Sequence, residues 1–412
     1  MLLLTYMFMS FGEIHWANIA KKAMCMGIIM KFFHIADLHI GKKLQGESLI
    51  REQIYMLNTI IKYAEEEKPD ALIIAGDVYD KSVPSAEAVL ALDDFIDKLV
   101  KIGLEVFMIS GNHDSGERLY FGKRVFEKQN IHIGSIYQGN LEEFAMKDEF
   151  GEVHIYLLPF VKPTMVQPFF TEPVETYEEG VKMALSSQII DTAKRNILVA
   201  HQFVVNIGEH PVTSESEQIS LGGLDQVDAG VFGEFDYVAL GHIHKPQKVG
   251  RQTVRYCGSL LKYSFSEVNH IKSIMCVEMK EKDVLEMRKL PLKQQTDLVI
   301  LEDNLENLLS SKYEQYRTGY YLSVKVVDNR FVLDPIGQLR NKFEGILEFH
   351  IDNTMQKSYK HSHLSVEDLK EKSTYDLFKE FFEKQNGDMM NAAEEETIQK
   401  ILAEIEQGGK SR

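Results

Sequence analysis

Five short segments hold the side chains that could do chemistry together: Asp37-Leu-His39, Gly76-Asp77-Val-Tyr-Asp80, Gly111-Asn112-His113-Asp114, Ala200-His201 and Gly241-His242-Ile-His244. Imidazole mixed with carboxylate suits Mn²⁺, Fe²⁺ or Zn²⁺, whereas an all-oxygen set would suit Mg²⁺ or Ca²⁺. Two such ions about 3.5–4 Å apart can clamp the attacking and leaving oxygens of an in-line phosphoryl displacement, provided one carboxylate bridges them. Asp77 is the candidate for that bridge. The one-residue gap in Asp37-x-His39 and in His242-x-His244 returns two side chains to the same face of an extended segment. Glycines at 76, 111 and 241 permit tight turns close to an ion or a phosphate.

Each segment alone has a plainer explanation. Asp-x-His is usually a solvated loop, and Gly-Asp after a strand is commonly a turn or a helix cap. A polar turn can use Gly-Asn-His-Asp, although that segment is more specific. His201 alone reads as a satisfied strand-end histidine. In combination and in this order the five are a strong signal. They hold five of the 14 histidines; the other nine have no such context and read as structural or solvated.

The elements that must position these residues form an alternating pattern. Phe32 to Ala36 reads as a buried strand, Glu47 to Glu67 as a helix ending before Pro69, and Ala71 to Ala75 as a strand. Ala86 to Lys101 is a helix and Glu105 to Ser110 a strand. Val153 to Leu158, Asn196 to Ala200 and Tyr237 to Leu240 are further apolar strands of the kind buried on both faces. This order predicts an α/β layered domain over 30–285. Ligands in open α/β sheets bind beyond the carboxyl ends of strands, so loops at one edge would bring the segments together. From about Gln294 the pattern restarts as strand 298–301, helix 305–313, strand 320–327, helix 335–343 and strand 345–350. That is a small α+β unit, assigned to 286–360. A charged helical tail follows over 361–412.

The chain has 412 residues and a formal net charge of −16. That charge argues against a protein that coats nucleic acid unaided, because phosphate binding relies on Lys and Arg. It leaves room for a carboxylate site made locally positive by metal. Cys25, Cys257 and Cys276 are odd in number and widely spaced, which fits a reducing cytoplasm. No apolar run is long enough to span a membrane. Residues 1–29 read as a non-native or upstream extension, since Met30 opens the first patterned strand and a secretory start would be basic.

All five segments match the signature of the calcineurin-like metallophosphoesterases, which the chain resembles: Asp-x-His, Gly-Asp, Gly-Asn-His-[Asp/Glu], His, Gly-His-x-His. More narrowly, Phe33 to Lys42 and Gly258 to Glu267 resemble the SbcD family of nuclease subunits, closely over about 30–300 and more loosely beyond. The resemblance implies a layered sandwich with a small α+β capping domain and a C-terminal helical tail. It implies two divalent ions, Mn²⁺ by preference, one held by Asp37, His39, Asp77 and His244, the other by Asp77, Asn112, His201 and His242. His113 would protonate the leaving 3′ oxygen or stabilise the transition state, with Asp80 orienting it, and water polarised by the ions would attack.

The resemblance also implies a substrate and partners. The substrate is DNA, cut in repair, recombination and replication by ATP-dependent 3′–5′ double-strand exonuclease and single-strand or hairpin endonuclease activity. No Gly-x-x-x-x-Gly-Lys-[Ser/Thr] occurs, so the ATPase would be a separate SbcC-like subunit. The expected assembly is a homodimer within a hetero-oligomer. In the tail, Val366, Leu369, Leu377, Phe378, Phe381 and Phe382 form one apolar stripe, and Ile398, Ile401, Leu402 and Ile405 a second. Neither suffices for a lone helix, so both must dock, on the partner or on this chain. In the capping unit, Lys312, Arg317, Lys325, Arg330, Arg340 and Lys342 either touch phosphates or form a solvated surface. The alternative function is a phosphatase or small-molecule phosphodiesterase. Protein phosphatases of this scaffold, however, follow Gly-Asp with x-x-Asp-Arg-Gly, where this chain has Val-Tyr-Asp-Lys-Ser.

Overall fold

The computed structural model describes residues 29–217, 224–328, 333–352, 373–386 and 389–408. Of the segment set apart at the start, only Ile29 is described. The described residues divide into two compact units, one ending at Gln295 and the other beginning at Thr296.

The first unit contains, in chain order, β1 (Met30–Ile35), α1 (Ile50–Glu67), β2 (Ala71–Ala75), α2 (Ala86–Ile102), β3 (Glu105–Ile109) and β4 (Ile131–Gly134). It continues with β5 (Glu142–Asp148), β6 (Gly151–Leu158), α3 (Tyr177–Ser186), β7 (Arg195–His201) and β8 (Tyr237–Gly241). Four more strands of its large sheets follow: β9 (Gln247–Val249), β10 (Arg251–Tyr256), β11 (Ser273–Met279) and β12 (Leu285–Pro291). They form two six-stranded sheets, ordered β12-β11-β1-β2-β3-β4 and β9-β10-β8-β7-β6-β5. The inner strands β1 to β4 are mutually parallel, as are β6, β7, β8 and β10.

Period two decides which residues face which layer. Phe32, Ala71, Ile73, Phe107 and Ile109 of the first sheet share one buried cluster with Val153, Ile155, Leu157, Ile197, Val199 and Ala239 of the second. The other face of the second sheet, with Leu198, Ala200, Val238 and Leu240, packs against Val181, Ala184 and Leu185 of α3. The helices are closed by local chemistry. Ser85 caps α2 by accepting from Ala88 N, and Gly103 ends it in the left-handed region. Thr176 and Glu179 form a capping box on α3. α1 starts at Ile50 rather than at Glu47, because Glu47–Ser48 pairs with Lys43–Leu44 in a short hairpin.

Two differences from the sequence reading concern architecture. The site loops do not come from one open sheet: three follow β1, β2 and β3, and two follow β7 and β8 of the facing sheet. Residues 286–291, assigned above to the capping unit, belong to β12 and pair with β11.

The second unit holds a parallel three-stranded sheet, β13 (Asp297–Asp303), β14 (Tyr320–Val326) and β15 (Ile346–Ile351), with α4 (Leu305–Leu309) and α5 (Pro335–Arg340). The expected helix 305–313 breaks at Ser310, which is extended and caps a 3-10 turn over Ser311–Tyr316 by accepting from Lys312 N. α6 (Thr374–Asn386) and α7 (Ala392–Gly408) follow, joined by a Lys379–Glu395 ion pair at 2.6 Å.

One buried pair pins the two large sheets together. Arg195 at the start of β7 makes a two-pronged bond to Asp148, with Nη1 to Oδ2 at 2.9 Å, and also donates to the carbonyls of Gly151 and Lys280. Asp148 Oδ2 in turn accepts from Met30 N of β1 at 2.8 Å. Breaking a buried pair strands the remaining charge. Arg195→Met is therefore expected to lower stability by about 3 kcal/mol or more in urea unfolding, with Arg195→Met/Asp148→Leu losing less. A single variant within about 1 kcal/mol of the parent would contradict this role.

Candidate metal centre

The five segments meet in one pocket. Asp37, His39 and His244 each place a ligand atom within 4.8 Å of the others, and so do Asp37, Asp77 and His201, and His39, Asp77 and His113. Asn112 completes the set, its Oδ1 lying 3.0 Å from His201 Nε2 and 2.9 Å from His242 Nδ1. His39 Nε2 and His244 Nε2 are 3.1 Å apart.

Backbone strain builds this convergence. Asp37, His39, Asp77 and His242 all have positive φ, at 52°, 44°, 48° and 104°. Residues other than glycine enter this region only at a cost in free energy, which loop-to-loop bonds offset here. Asp37 N donates to Gly76 O and His39 N to Asp77 O, while His242 N donates to Asp37 Oδ1 at 2.9 Å. Gly241 is required for a different reason: a Cβ there would overlap the Ala75 carbonyl.

Asp77 sits at the centre. Its Oδ1 accepts from His113 N at 2.9 Å, leaving Oδ2 3.5 Å from His39 Nε2 on one side and 3.4 Å from His201 Nε2 on the other. His201 Nδ1 donates to the Ala75 carbonyl at 2.8 Å, so its Nε2 faces Asn112 Oδ1 and Asp77 Oδ2 with a lone pair unless it takes a second proton. Acceptors therefore point at acceptors, and Asp37 Oδ2 is buried with no hydrogen-bond partner. Such a pocket is stable only when protons or cations lie between its oxygens and nitrogens. The donor set fits divalent cations.

The electrostatics agree. Burial pushes the Asp37 carboxyl up to about 8. Burial works against a charged His201, yet the Asp77 carboxylate beside it raises that imidazole to about 9. Burial would also raise Asp77, but His201, His39 and His113 outweigh it and hold that carboxyl well below the usual range. His242 is pushed down to about 3 by burial and by the His201 charge.

Several residues at the centre had no role assigned from the sequence. The Asp114 carboxylate ties two loops together by accepting from Val78 N, Tyr79 N and Gly111 N at 3.0, 2.8 and 2.9 Å. Gln53 of α1 donates to the His39 carbonyl at 2.7 Å. Glu217 accepts from His244 N at 2.6 Å, and burial pushes its carboxyl up to about 7. Ser216, Glu267 and Lys272 lie behind His244. The position in Gly-Asn-His-Asp was the only available signal for Asp114, and Glu267 closes the Gly258–Glu267 segment noted above without a role; the others come from segments without a motif. Asp80 meets His113 as expected, holding its Nδ1 through the backbone carbonyl at 2.9 Å, while the Asp80 carboxylate bonds Lys42 Nζ at 2.9 Å.

The capping-unit cations are largely engaged within their own unit. Lys312 pairs with Asp303 at 2.7 Å, Lys325 with Glu302 and Asp352 at 2.9 and 3.3 Å, and Arg317 with Glu314 at 3.5 Å. Lys342 Nζ donates to the carbonyls of Leu308 and Ser310. These bonds favour the solvated-surface reading; Arg330 lies outside the described residues.

Comparison with known proteins follows the same lines. The calcineurin-like phosphoesterase family model matches residues 30–246. The SbcD C-terminal model, described as the type 5 capsule protein repressor C-terminal domain, matches 294–386. The SbcD component of the nuclease SbcCD from Staphylococcus saprophyticus is 32% identical over 92% of this chain and 100% of its own length. The chain belongs to the SbcD family. The SbcD component from Staphylococcus epidermidis is likewise 32% identical, over 91% of this chain and 99% of its own. Two solved structures are more remote: a protein from Thermus thermophilus (13% identity, TM-score 0.36, 63% of this chain and 99% of that one) and a dimetal phosphatase from Danio rerio (12%, 0.36, 65% and 99%). As an SbcD-family phosphoesterase the chain is a metal-dependent hydrolase of phosphodiester bonds.

The protons on Asp37 and His201 set a pH dependence. With folded-state values near 8 and 9, both groups are protonated at neutral pH in the metal-free protein, and cations must displace those protons. Divalent-metal affinity is therefore expected to rise with pH, by about tenfold or more between about pH 6.5 and about pH 8.5. Calorimetry in buffers of different ionisation enthalpy would show proton release, and equal affinity across that range would contradict the assignment.

Proposed function

We propose that this chain is the nuclease subunit of an SbcC–SbcD-like complex and hydrolyses DNA phosphodiester bonds at a two-metal centre. The supporting observation is the Asp77 carboxylate, with one oxygen facing both His39 and His201. One ion would be held by Asp37, His39, Asp77 and His244, the other by Asp77, Asn112, His201 and His242, and Mn²⁺ suits this imidazole-rich set. Such a pair supplies Lewis-acid polarisation of the scissile phosphate and a water of lowered pKa.

The chain's own residues orient and move protons around that pair. His113 Nδ1 donates to the Asp80 carbonyl, because a carbonyl can only accept. That fixes the ring's tautomer and orientation and leaves Nε2 as the atom that holds and delivers a proton to the leaving 3′ oxygen. His113 is also tied to the centre through its backbone N on Asp77 Oδ1 and by its ring lying 4.7 Å from that of His39. His113→Gln is expected to keep two ions per chain while slowing cleavage about 100-fold or more, whereas Asp77→Asn loses both ions and cleavage. Metal analysis finding two ions in Asp77→Asn would defeat the bridging assignment.

The same reading gives the chain an SbcC-like ATPase partner, a homodimeric place in the larger assembly and a reducing cytoplasm, in keeping with unpaired, buried Cys257 and Cys276. Duplex exonuclease activity (3′–5′) would then need ATP from the partner, and single-strand or hairpin cleavage would be endonucleolytic. Residues 286–360 are taken as the cap, less the strand already given to the sheet, and 361–412 as the docking tail. Phe381 and Ile401 stay 57% and 46% exposed on α6 and α7, which supports docking; Val366 and Leu369 lie outside the described residues. Deleting 365–412 is expected to abolish co-purification with the ATPase while leaving Mn²⁺-dependent hydrolysis of bis-p-nitrophenyl phosphate. The decisive assay uses end-labelled duplex and hairpin DNA with Mn²⁺, with and without the ATPase. Activity confined to p-nitrophenyl phosphate would point to a phosphatase instead.

A further inference from the structure

His244 is backed by a line of side chains that the other histidines of the centre lack among the described residues. Its Nδ1 lies 2.6 Å from Ser216 Oγ. The Ser216 hydroxyl donates to Glu267 Oε1 at 2.5 Å, so its oxygen is left to accept from His244 Nδ1–H. Glu267 Oε2 accepts from Lys272 Nζ at 2.5 Å, and Lys272 also donates to Ser259 Oγ and to the His244 carbonyl at 2.7 and 2.9 Å. Glu267 and Lys272 are fully buried, at 0% and 3% exposure. The line therefore runs from imidazole through hydroxyl and carboxylate to ammonium, and each member has its partner.

Its effect on His244 follows from proton counting. With the ring hydrogen committed at Nδ1, the lone pair is fixed on Nε2, the atom that faces His39 Nε2 at 3.1 Å. A carboxylate behind an imidazole makes the far nitrogen a stronger donor to a cation. The other half of the centre lacks this support: His201 Nδ1 rests on the neutral Ala75 carbonyl, and His242 Nδ1 faces Asn112 Oδ1. His39 Nδ1 has only the Asp80 carboxylate, at 3.8 Å.

We infer that Ser216 and Glu267, anchored by Lys272, are positioning residues that set the affinity of the metal position at His244 separately from that at His201. The inference rests on the two-metal reading above and adds an inequality to it. Ser216 stands on a half-exposed loop, so its removal should not disturb the core.

The test is Mn²⁺ titration of the full chain by calorimetry, with electron paramagnetic resonance to count bound ions. The parent should bind two. Ser216→Ala should weaken one binding event by about tenfold or more and leave the second unchanged, with Ser216→Thr restoring it. Glu267→Gln should weaken the same event, and Ser216→Ala added to it should cost no more, since both cut one line. The thermal midpoint of metal-free Ser216→Ala should match the parent, which separates positioning from folding. Two unchanged events in Ser216→Ala, or two weakened equally, would overturn the relay while leaving the two-metal reading intact. A parent that binds fewer than two ions would bring down both.

Discussion

Imidazole nitrogens and carboxylate oxygens buried face to face repel one another unless positive charge lies between them, and the rest of this protein is arranged around that constraint. Asp77 Oδ2 faces ring nitrogens of His39 and His201, and Asn112 Oδ1 faces that same His201 nitrogen and one of His242. A metal-free pocket answers with protons, which is why Asp37 and His201 hold theirs into the alkaline range. Two cations answer it better, since each replaces a proton with a stronger charge at the same place.

Holding acceptors this close demands a rigid frame. Two sheets facing each other deliver loops from separate strands to one point, and positive φ at four polar residues brings the side chains inward. Loop-to-loop bonds offset the strain, Asp114 alone clasping three amides. The Arg195–Asp148 pair holds the two sheets at the far end of the strands, so neither can slide relative to the other without exposing a charge. Site and core are thus one construction.

Much of the centre was legible in the sequence because chemistry restricts residue type: Asp37, His39, Asp77, Asn112, His201, His242 and His244 stand in short motifs, and all of them meet. What supports them was not legible. Ser216, Glu217, Glu267 and Lys272 act across long separations, and a serine or a glutamate in a loop has no periodicity to mark it. Asp80 was named from its position alone, since sequence shows side chains and not which carbonyl a ring will find. Strands β1 to β3 and β6 to β8, short and mainly apolar, were readable; β10 and β11, also inside the sheets, and the edge strands β5 and β12, whose charged residues interrupt the apolar runs, were not assigned. The helix expected over 305–313 stops at Ser310 because a serine hydroxyl competes locally for backbone N–H groups.

The central claim is a pair of cations sharing Asp77. Anomalous diffraction from crystals grown with Mn²⁺ tests it directly. The account predicts two peaks per chain about 3.5–4 Å apart, flanking the Asp77 carboxylate, one against His39 and His244 and the other against His201 and His242. A single peak, or two peaks with Asp77 touching neither, would contradict it.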